Sequence, residues 1–444
     1  MGGPSDRSGV SIGADKRFAE HSLRGEVLGE LHARPFTPIA TPQRVLHFAF
    51  MRSGDAQGDR TALEALCRSM NMTPPPESAR HMRWQFDGGA MRWESHNEFS
   101  TYRWEFPSKN GKPFEPAARV AAKALEGFEQ PGPLMVAIDL HLITDPGGNF
   151  SPESIFERAS LAVAENSDGT ALFATDFQVS ADGFVRVLVA DRGLGPERAG
   201  ALVQRVLELE TYRTLALVGL PEAQRLSPSI ARIEKKLAEV TEAMRHTTGL
   251  VDNNRLLDEL TALASDLEAD AAASLFRFGA TRAYYELVQT RLQAIGERKF
   301  GGLPTWTSFL SRRMAPAMRT CVTMEERQAN LSRKLARAAN LLRTRVDVAV
   351  EGQNRDLLTT MNKRARMQLR LQQTVEGLSV AAISYYLVGL VHYVLEGAHH
   401  FGLPVDSTIG TAVAVPVVVV FVALVVRRIR GKYDERSAQE DKVG

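Results

Sequence analysis

The sequence predicts an α+β cytoplasmic head, a long antiparallel helical or coiled-coil stalk, and a C-terminal two-helix transmembrane hairpin. Three observations predict it. Short strand-like runs bounded by turn residues fill the chain from about Arg44 to Leu220. From Ser227 onward strand signals vanish and apolar residues recur at helical spacing. Two apolar runs near the end are each about long enough to cross a bilayer core of ~30 Å.

The 444-residue length allows two or three domains. Residues 1–44 read as a helix and extended leader, 45–220 as the head, 221–376 as the stalk, 377–426 as the hairpin and 427–444 as a basic tail. With 54 Lys and Arg against 52 Asp and Glu, nothing global points to a nucleic-acid binder. The two cysteines, Cys67 and Cys321, form no CxxC pattern. This argues against a disulfide framework or structural zinc site and fits a reducing cytoplasm. The first residues carry no apolar core of the signal-peptide kind, so a secretory signal peptide is not expected.

The leader contains "FAEHSLRGEVLGELHA", with Leu23, Val27 and Leu31 on one helical face. It ends in "ELHARPF", Glu30 to Phe36. Glu30 and Arg34 have ion-pair spacing, and Pro35 stops the helix by disfavouring helical backbone at Arg34. Pro38 and Pro42 keep the next stretch extended. One reading is a structural joint with Phe36 tucked into the core. The other makes His32 and Arg34 ligand contacts.

In the head, "RVLHFAFM" reads as a strand and "DRTALEALCRSMNM" as a helix. "RHMRWQF", "AMRWESH" and "FSTYRWEF" form a meander with "DGG" and "NE" at its turns. Trp84 and Phe86 alternate with Arg83 and Gln85, and Tyr102, Trp104 and Phe106 alternate likewise, predicting one buried and one wet face. A helix over "EPAARVAAKALEGF", a long strand "PLMVAIDLHLI" and a second meander follow, and "GPERAGALVQRVLELETYRTLALVGL" closes the head as a helix. So many neighbouring strands argue for a largely antiparallel sheet.

The stalk reads as helices over about 228–246 and 253–297, a break at "RKFGGLPTWTSFL", and a third helix from near Met318. No proline lies between Glu325 and Leu395, so the third helix is expected to run into the first span despite Gly352. Its apolar stripe is narrow, as in coiled coils, and needs a partner.

The spans are Leu378 to Leu395 and Ile409 to Val426. Lys363, Arg364, Arg366 and Arg370 precede the first; Arg427, Arg428, Arg430 and Lys432 follow the second; the loop between has neither Lys nor Arg. The positive-inside rule puts both ends in the cytoplasm. In the first span Tyr385, Gly389, His392 and Glu396 share a helical face, a candidate self-association or pore face. His399 and His400, with Asp406, are weak candidates for a divalent cation.

No P-loop, GxGxxG after a strand, HExxH or GxSxG is present, which disfavours the common NTPases, dehydrogenases, zinc proteases and serine hydrolases. Asp139 and His141 point to one face of a strand about 7 Å apart. Either they form a solvent-face salt link, or they form part of a metal or acid/base site, joining His32 and Arg34 as ligand contacts. No catalytic residue and no resident cofactor is expected, and no nucleic-acid partner. The expected associates are the bilayer and further copies of the chain.

"ELHARPF" followed by "P-x-R-V-L-H-x-A", and "LQQTVEGLSVAAISYYLVGL" leading into the hairpin, resemble a bacterial family of uncharacterised membrane-anchored proteins catalogued as a domain of unknown function. The resemblance covers most of the chain and implies the architecture and an inner-membrane location, with no activity to carry over. A looser likeness of layout is to CorA-type magnesium transporters, whose Gly-Met-Asn triplet is replaced here by "EGAHHFG". The sequence therefore reads as a non-enzymatic, membrane-anchored, self-associating scaffold or sensor, with a CorA-like divalent-cation channel as the alternative.

Overall fold

The computed structural model describes residues 21–24, 27–28, 36–52, 56–109, 113–114, 125–400 and 406–440. Two compact units result, one of residues 1–245 with 258–339 and one of residues 246–257 with 340–444.

In the first unit nine strands form one mixed sheet in the order β2-β3-β4-β1-β5-β8-β7-β6-β9. The strands are β1 Gln43–Met51, β2 His81–Phe86, β3 Gly89–Ser95, β4 Phe99–Pro107, β5 Leu134–Thr144, β6 Ala162–Glu165, β7 Ala171–Val179, β8 Val185–Asp191 and β9 Arg298–Lys299. All pairs are antiparallel except β5 with β8, where the second meander comes back alongside the long strand. The two expected meanders, β2–β4 and β6–β8, are present on either side of a β1–β5 centre, and the sheet is mixed because of the single parallel pair β5–β8.

Helix α1, Ala56–Ser69, covers one face of the first meander. Its Leu63, Leu66 and Cys67 pack with Leu46, Phe50, Trp84, Met91, Trp93, Tyr102 and Trp104. The opposite face carries α2, Pro196–Leu217, whose Leu202, Val203, Val206 and Leu207 share a core with Val45, Ile138, Leu140 and Leu142. Helix α3, Gly219–His246, follows after a single residue and contains Pro228, so helix begins well before the expected 228. Then come α4, Leu250–Ile295, and α5, Trp306–His400.

Between α4 and α5 the glycine- and proline-rich break returns the chain to the sheet, where β9 pairs with β6. That docks Val288, Leu292 and Ile295 of α4 and Trp306, Phe309, Leu310 and Met314 of α5 in the sheet core. The third helix thus starts at Trp306 rather than near Met318, with Pro316 inside its first turns. Beyond the core, Arg232–Asp266 joins α3 to α4, Arg327–Glu234 joins α5 to α3, and Arg282–Glu325 joins α4 to α5. Among the described residues the partners of this part of α5 are two helices of its own chain.

The leader departs from expectation. Phe36 is 51% exposed, and Ile39 is the residue buried in the core. Gly200 explains why: a side chain there would meet the Thr37 carbonyl at 2.0 Å, so only glycine lets the leader lie this close to α2. The backbone N–H of Ile39 donates to the Pro196 carbonyl at 3.0 Å. Of the helix expected over Glu115–Phe128, residues 115–124 lie outside the described residues.

The second unit contains the remainder of α5 and α6, Ser407–Glu440. Helix α5 is unbroken through Gly352 to the first apolar run. Both α5 and α6 contain stretches long and apolar enough to cross a membrane.

Candidate functional site

Strand alternation builds the site. In β2, β3 and β4 an arginine precedes a tryptophan each time: Arg83–Trp84, Arg92–Trp93 and Arg103–Trp104. Successive side chains of a strand point to opposite faces, so the tryptophans enter the α1-side core and the arginines take the other face. Register then aligns them. Arg83 is opposite Arg92, Arg92 opposite Arg103, and Arg103 opposite His47 of β1. Four cationic or basic residues thus form one row across four strands.

The expected wet face is therefore not wet. Arg92, Arg103 and Glu105 are only 5%, 6% and 3% exposed. The sheet's second face lies beneath α2 and α4, and burial is set by that cover rather than by the alternation. Like charges directly opposite one another repel, and glutamates two residues along compensate. Glu105 contacts Arg103 at 2.7 Å and Arg83 at 3.0 Å, while Glu94 contacts Arg92 at 2.6 Å.

Above this row is a cavity of about 190 Å³ lined by His47, Arg92, Glu94, His96, Phe99 and Arg103 from the sheet. Its other wall is Gln204, Leu207, Glu208, Thr211 and Tyr212 of α2 and Arg291 of α4. Arg291 pairs with Glu208 at 2.5 Å. A second, outer pocket shares His96, Phe99 and Tyr212 and is bordered by Leu23 and Val27 of the leader's apolar face.

The cavity's electrostatics follow from burial. Desolvation, aided by the charge of Arg103, lowers the pKa of His47 to about 3, so its imidazole is neutral. Thr211 donates its hydroxyl proton to the Leu207 carbonyl at 2.8 Å. The 3.1 Å contact between His47 Nε2 and Thr211 Oγ1 is then a donation from histidine, which leaves Nδ1 as a bare acceptor. His47 Nδ1 and Arg103 Nε are buried without a partner. Each such atom costs about 1–3 kcal/mol. Burial pushes Arg103 below the usual arginine range, partly offset by Glu105. Burial also opposes ionisation of Glu94, but His96, Arg92 and Arg103 outweigh it and hold that carboxyl at about 2.

Asp139 and His141 lie on the other face of the sheet. They do meet, with His141 Nε2 3.4 Å from Asp139 Oδ1. Arg44 grips the same carboxylate with two hydrogen bonds of 2.9 and 2.8 Å. The pair is buried, at 4% and 6% exposure, and is no solvent-face link. Burial raises the Asp139 pKa, but hydrogen bonds from His141 and Arg44 more than reverse it. The His141 ring rests on Phe114, with centroids 4.6 Å apart. His32 and Arg34 lie outside the described residues.

In the first span His392 Nδ1 is 2.9 Å from the Thr411 hydroxyl of α6, so this part of the candidate face is turned toward the second span. Tyr385 is 78% exposed, Glu396 is exposed, and Gly389 has open space around its α-carbon. The side chains of His399 and His400 lie outside the described residues. Among the described residues no group of His, Cys, Asp and Glu is arranged to hold a metal.

Sequence reasoning missed His47, Arg92 and Arg103. The signal was available in the threefold Arg-Trp repeat, but it becomes a row only once strand register is known.

The fold and cavity define a protein with a mixed-sheet α/β unit, long helices and two segments able to span a membrane. A family model described as a protein of unknown function (DUF3422) matches residues 19–433, and the chain belongs to that family. No match is found among curated proteins or among solved structures.

Proposed function

We propose that this is a non-enzymatic, membrane-anchored, self-associating scaffold or sensor whose sheet unit receives a ligand in the cavity over the arginine row. The observation that carries it is α5. One uninterrupted helix contributes Trp306 and Phe309 to the core of the sheet unit and also contains the first apolar span. The core of the sheet unit and the first apolar stretch therefore share one helix.

The proposed location is a bacterial inner membrane with both termini cytoplasmic. The cations outside both spans and the loop lacking Lys and Arg support it. Between Arg312 and Glu376 there are 14 Lys and Arg against 6 Asp and Glu, which favours an anionic leaflet. Self-association is supported by apolar residues that the chain leaves uncovered. Val350, Leu357, Met361, Leu371 and Val375 follow one another at spacings of 7, 4, 10 and 4 residues, all sums of three- and four-residue steps, and are all exposed. A coiled coil with a second copy is the proposed cover.

Membrane fractionation with an alkaline wash, followed by disulfide trapping of a Leu357→Cys variant in intact membranes, tests this reading. Retention in the pellet and a trapped dimer are expected. Release by the wash overturns anchoring, and a monomer under all trapping conditions overturns self-association. Divalent-cation uptake into proteoliposomes tests the alternative. Saturable uptake lost in His392→Ala and Glu396→Ala would replace the scaffold with a CorA-like channel.

A further inference from the structure

The exposed stripe of α5 does not end where the first apolar run begins. Leu371, Val375, Leu378, Ala382, Tyr385 and Gly389 follow one another at steps of 4, 3, 4, 3 and 4 residues. That averages one helical turn per step, so the six lie on one face over ~27 Å of rise. Upstream the same spacing passes through Gln368, Arg364 and Met361 to Leu357. The chain covers none of the six. Leu371, Val375, Leu378 and Tyr385 are each more than half exposed, Ala382 is exposed, and a side chain added at Gly389 would meet nothing within 4 Å. Helix α6 lies along a different face. It reaches α5 at His392, whose Nδ1 is 2.9 Å from the Thr411 hydroxyl, and at Leu395, which a side chain on Gly410 would meet at 2.9 Å. Ser384, about two turns before His392 and on the same side, is buried. His392 therefore belongs to the hairpin, and the open stripe stops at Gly389.

The position of the stripe selects what covers it. Leu371 and Val375 precede the apolar run that starts at Leu378, and Arg370 adjoins them. Hydrocarbon chains would cover Leu378, Ala382 and Gly389 but not the residues before the run. A soluble protein would cover those and not the rest. The occupant is a helix that itself passes from a polar segment into an apolar one, with its own stripe in the same phase. Helix α5 of a second copy meets that requirement along the whole stripe. Copies inserted with the same topology present α5 in parallel, so each position meets its own counterpart across a twofold axis. Small residues at Ala382 and Gly389 let the two backbones approach. The Tyr385 hydroxyl then faces protein instead of hydrocarbon.

We propose that two copies of this chain pack along one seam from Leu371 to Gly389, which carries the stalk pairing into the first apolar run without a change of face. The proposal rests on the self-association reading. It adds the surface within the apolar run, the parallel orientation and the residues of closest approach.

The test is oxidative trapping of single added cysteines in the full-length protein in intact membranes. The native Cys67 and Cys321 are buried and do not compete. Leu371→Cys, Leu378→Cys and Tyr385→Cys are expected to give trapped dimer. Ile383→Cys and Leu390→Cys, at exposed positions off the seam, are expected to give little. Gly389→Leu in the Leu378→Cys background is expected to lower the trapped fraction roughly tenfold, and Leu390→Ala to leave it unchanged. If the leucine variant does not accumulate, Gly389→Ala gives a smaller drop. Equal trapping at all five positions overturns the seam. So does trapping confined to Leu371, or a trapped fraction unmoved by either change at Gly389. The Leu357→Cys variant separates the failures. If it is trapped while Leu378→Cys and Tyr385→Cys are not, the seam falls and self-association through the stalk stands. If none of them is trapped, both fall.

Discussion

Helix α5 contains two stretches with the same kind of apolar periodicity and opposite fates. In the stretch up to Ala339, Met314, Met318, Cys321, Met324, Leu331 and Leu335 are all buried. Farther on, Leu357, Met361 and Leu371 are 60%, 57% and 66% exposed. The first stretch finds its cover in the sheet and in α3 and α4. Among the described residues the second finds none. Periodicity states that a helix face needs a partner and does not state where the partner comes from. The contrast gives similar sequence different surroundings, one stretch holding the fold together and one left exposed.

The contrast breaks most visibly at the start of the helix. Trp306→Ala is expected to destabilise the sheet unit by about 3–5 kcal/mol, since the indole is fully buried against Phe173 and Phe177. Leu335→Ala, in the covered stretch, should cost about 2–5 kcal/mol. Denaturant unfolding followed by tryptophan fluorescence reads both, because all four tryptophans (84, 93, 104 and 306) lie in the sheet unit. For Trp306→Ala the other three remain as reporters.

Acid should act on the sheet unit through His47. Its folded pKa, about 3, is below the ordinary 6.5. The unfolded chain therefore binds the proton more readily between those values. Stability is full above pH 6.5 and falls as the pH drops through that value toward 3, by about 2 kcal/mol at pH 5. Glu94, held at about 2, contributes in the same direction but only below its ordinary 4.5, so the window from pH 6.5 to 5 separates the histidine from Glu94. His47→Gln should flatten the slope in that window, and a slope unchanged by this variant would remove His47 as its source.

The smallest effects sharpen the comparison. Arg232→Ala breaks an exposed pair with Asp266 and should cost about 0–1 kcal/mol. Leu357→Ala should change fluorescence-monitored unfolding by less than about 0.5 kcal/mol. If self-association holds, the same substitution should lower the trapped or detergent-stable oligomer fraction. A large unfolding effect from Leu357→Ala would show that the uncovered stretch is part of the fold after all.

Much of the architecture was legible. Alternation and turn residues located β1 to β8, because a strand's period of two and its punctuating glycines are local properties. The continuity of α5 through Gly352 followed from the lack of proline between Glu325 and Leu395. What sequence could not resolve was everything that depends on a neighbour. Phe36 and Ile39 are both plausible core residues, and Gly200 decided between them. The two-residue strand β9 is too short to carry a period. The Arg-Trp repeats read as a wet face until α2 and α4 covered it.

By itself the sequence determined the class of each element, the two long apolar runs, the charge asymmetry around them and the likeness to an uncharacterised family. Those properties reside in runs of neighbouring residues. Only the tertiary structure decided that the arginines of three strands and His47 of a fourth line up beneath one cavity. It alone separated Asp139 and His141 from that site, on the opposite face of the sheet. The physical reason is that register and cover are set by pairing between distant segments. Whether a polar side chain is solvated, paired or left to await a ligand depends on that pairing.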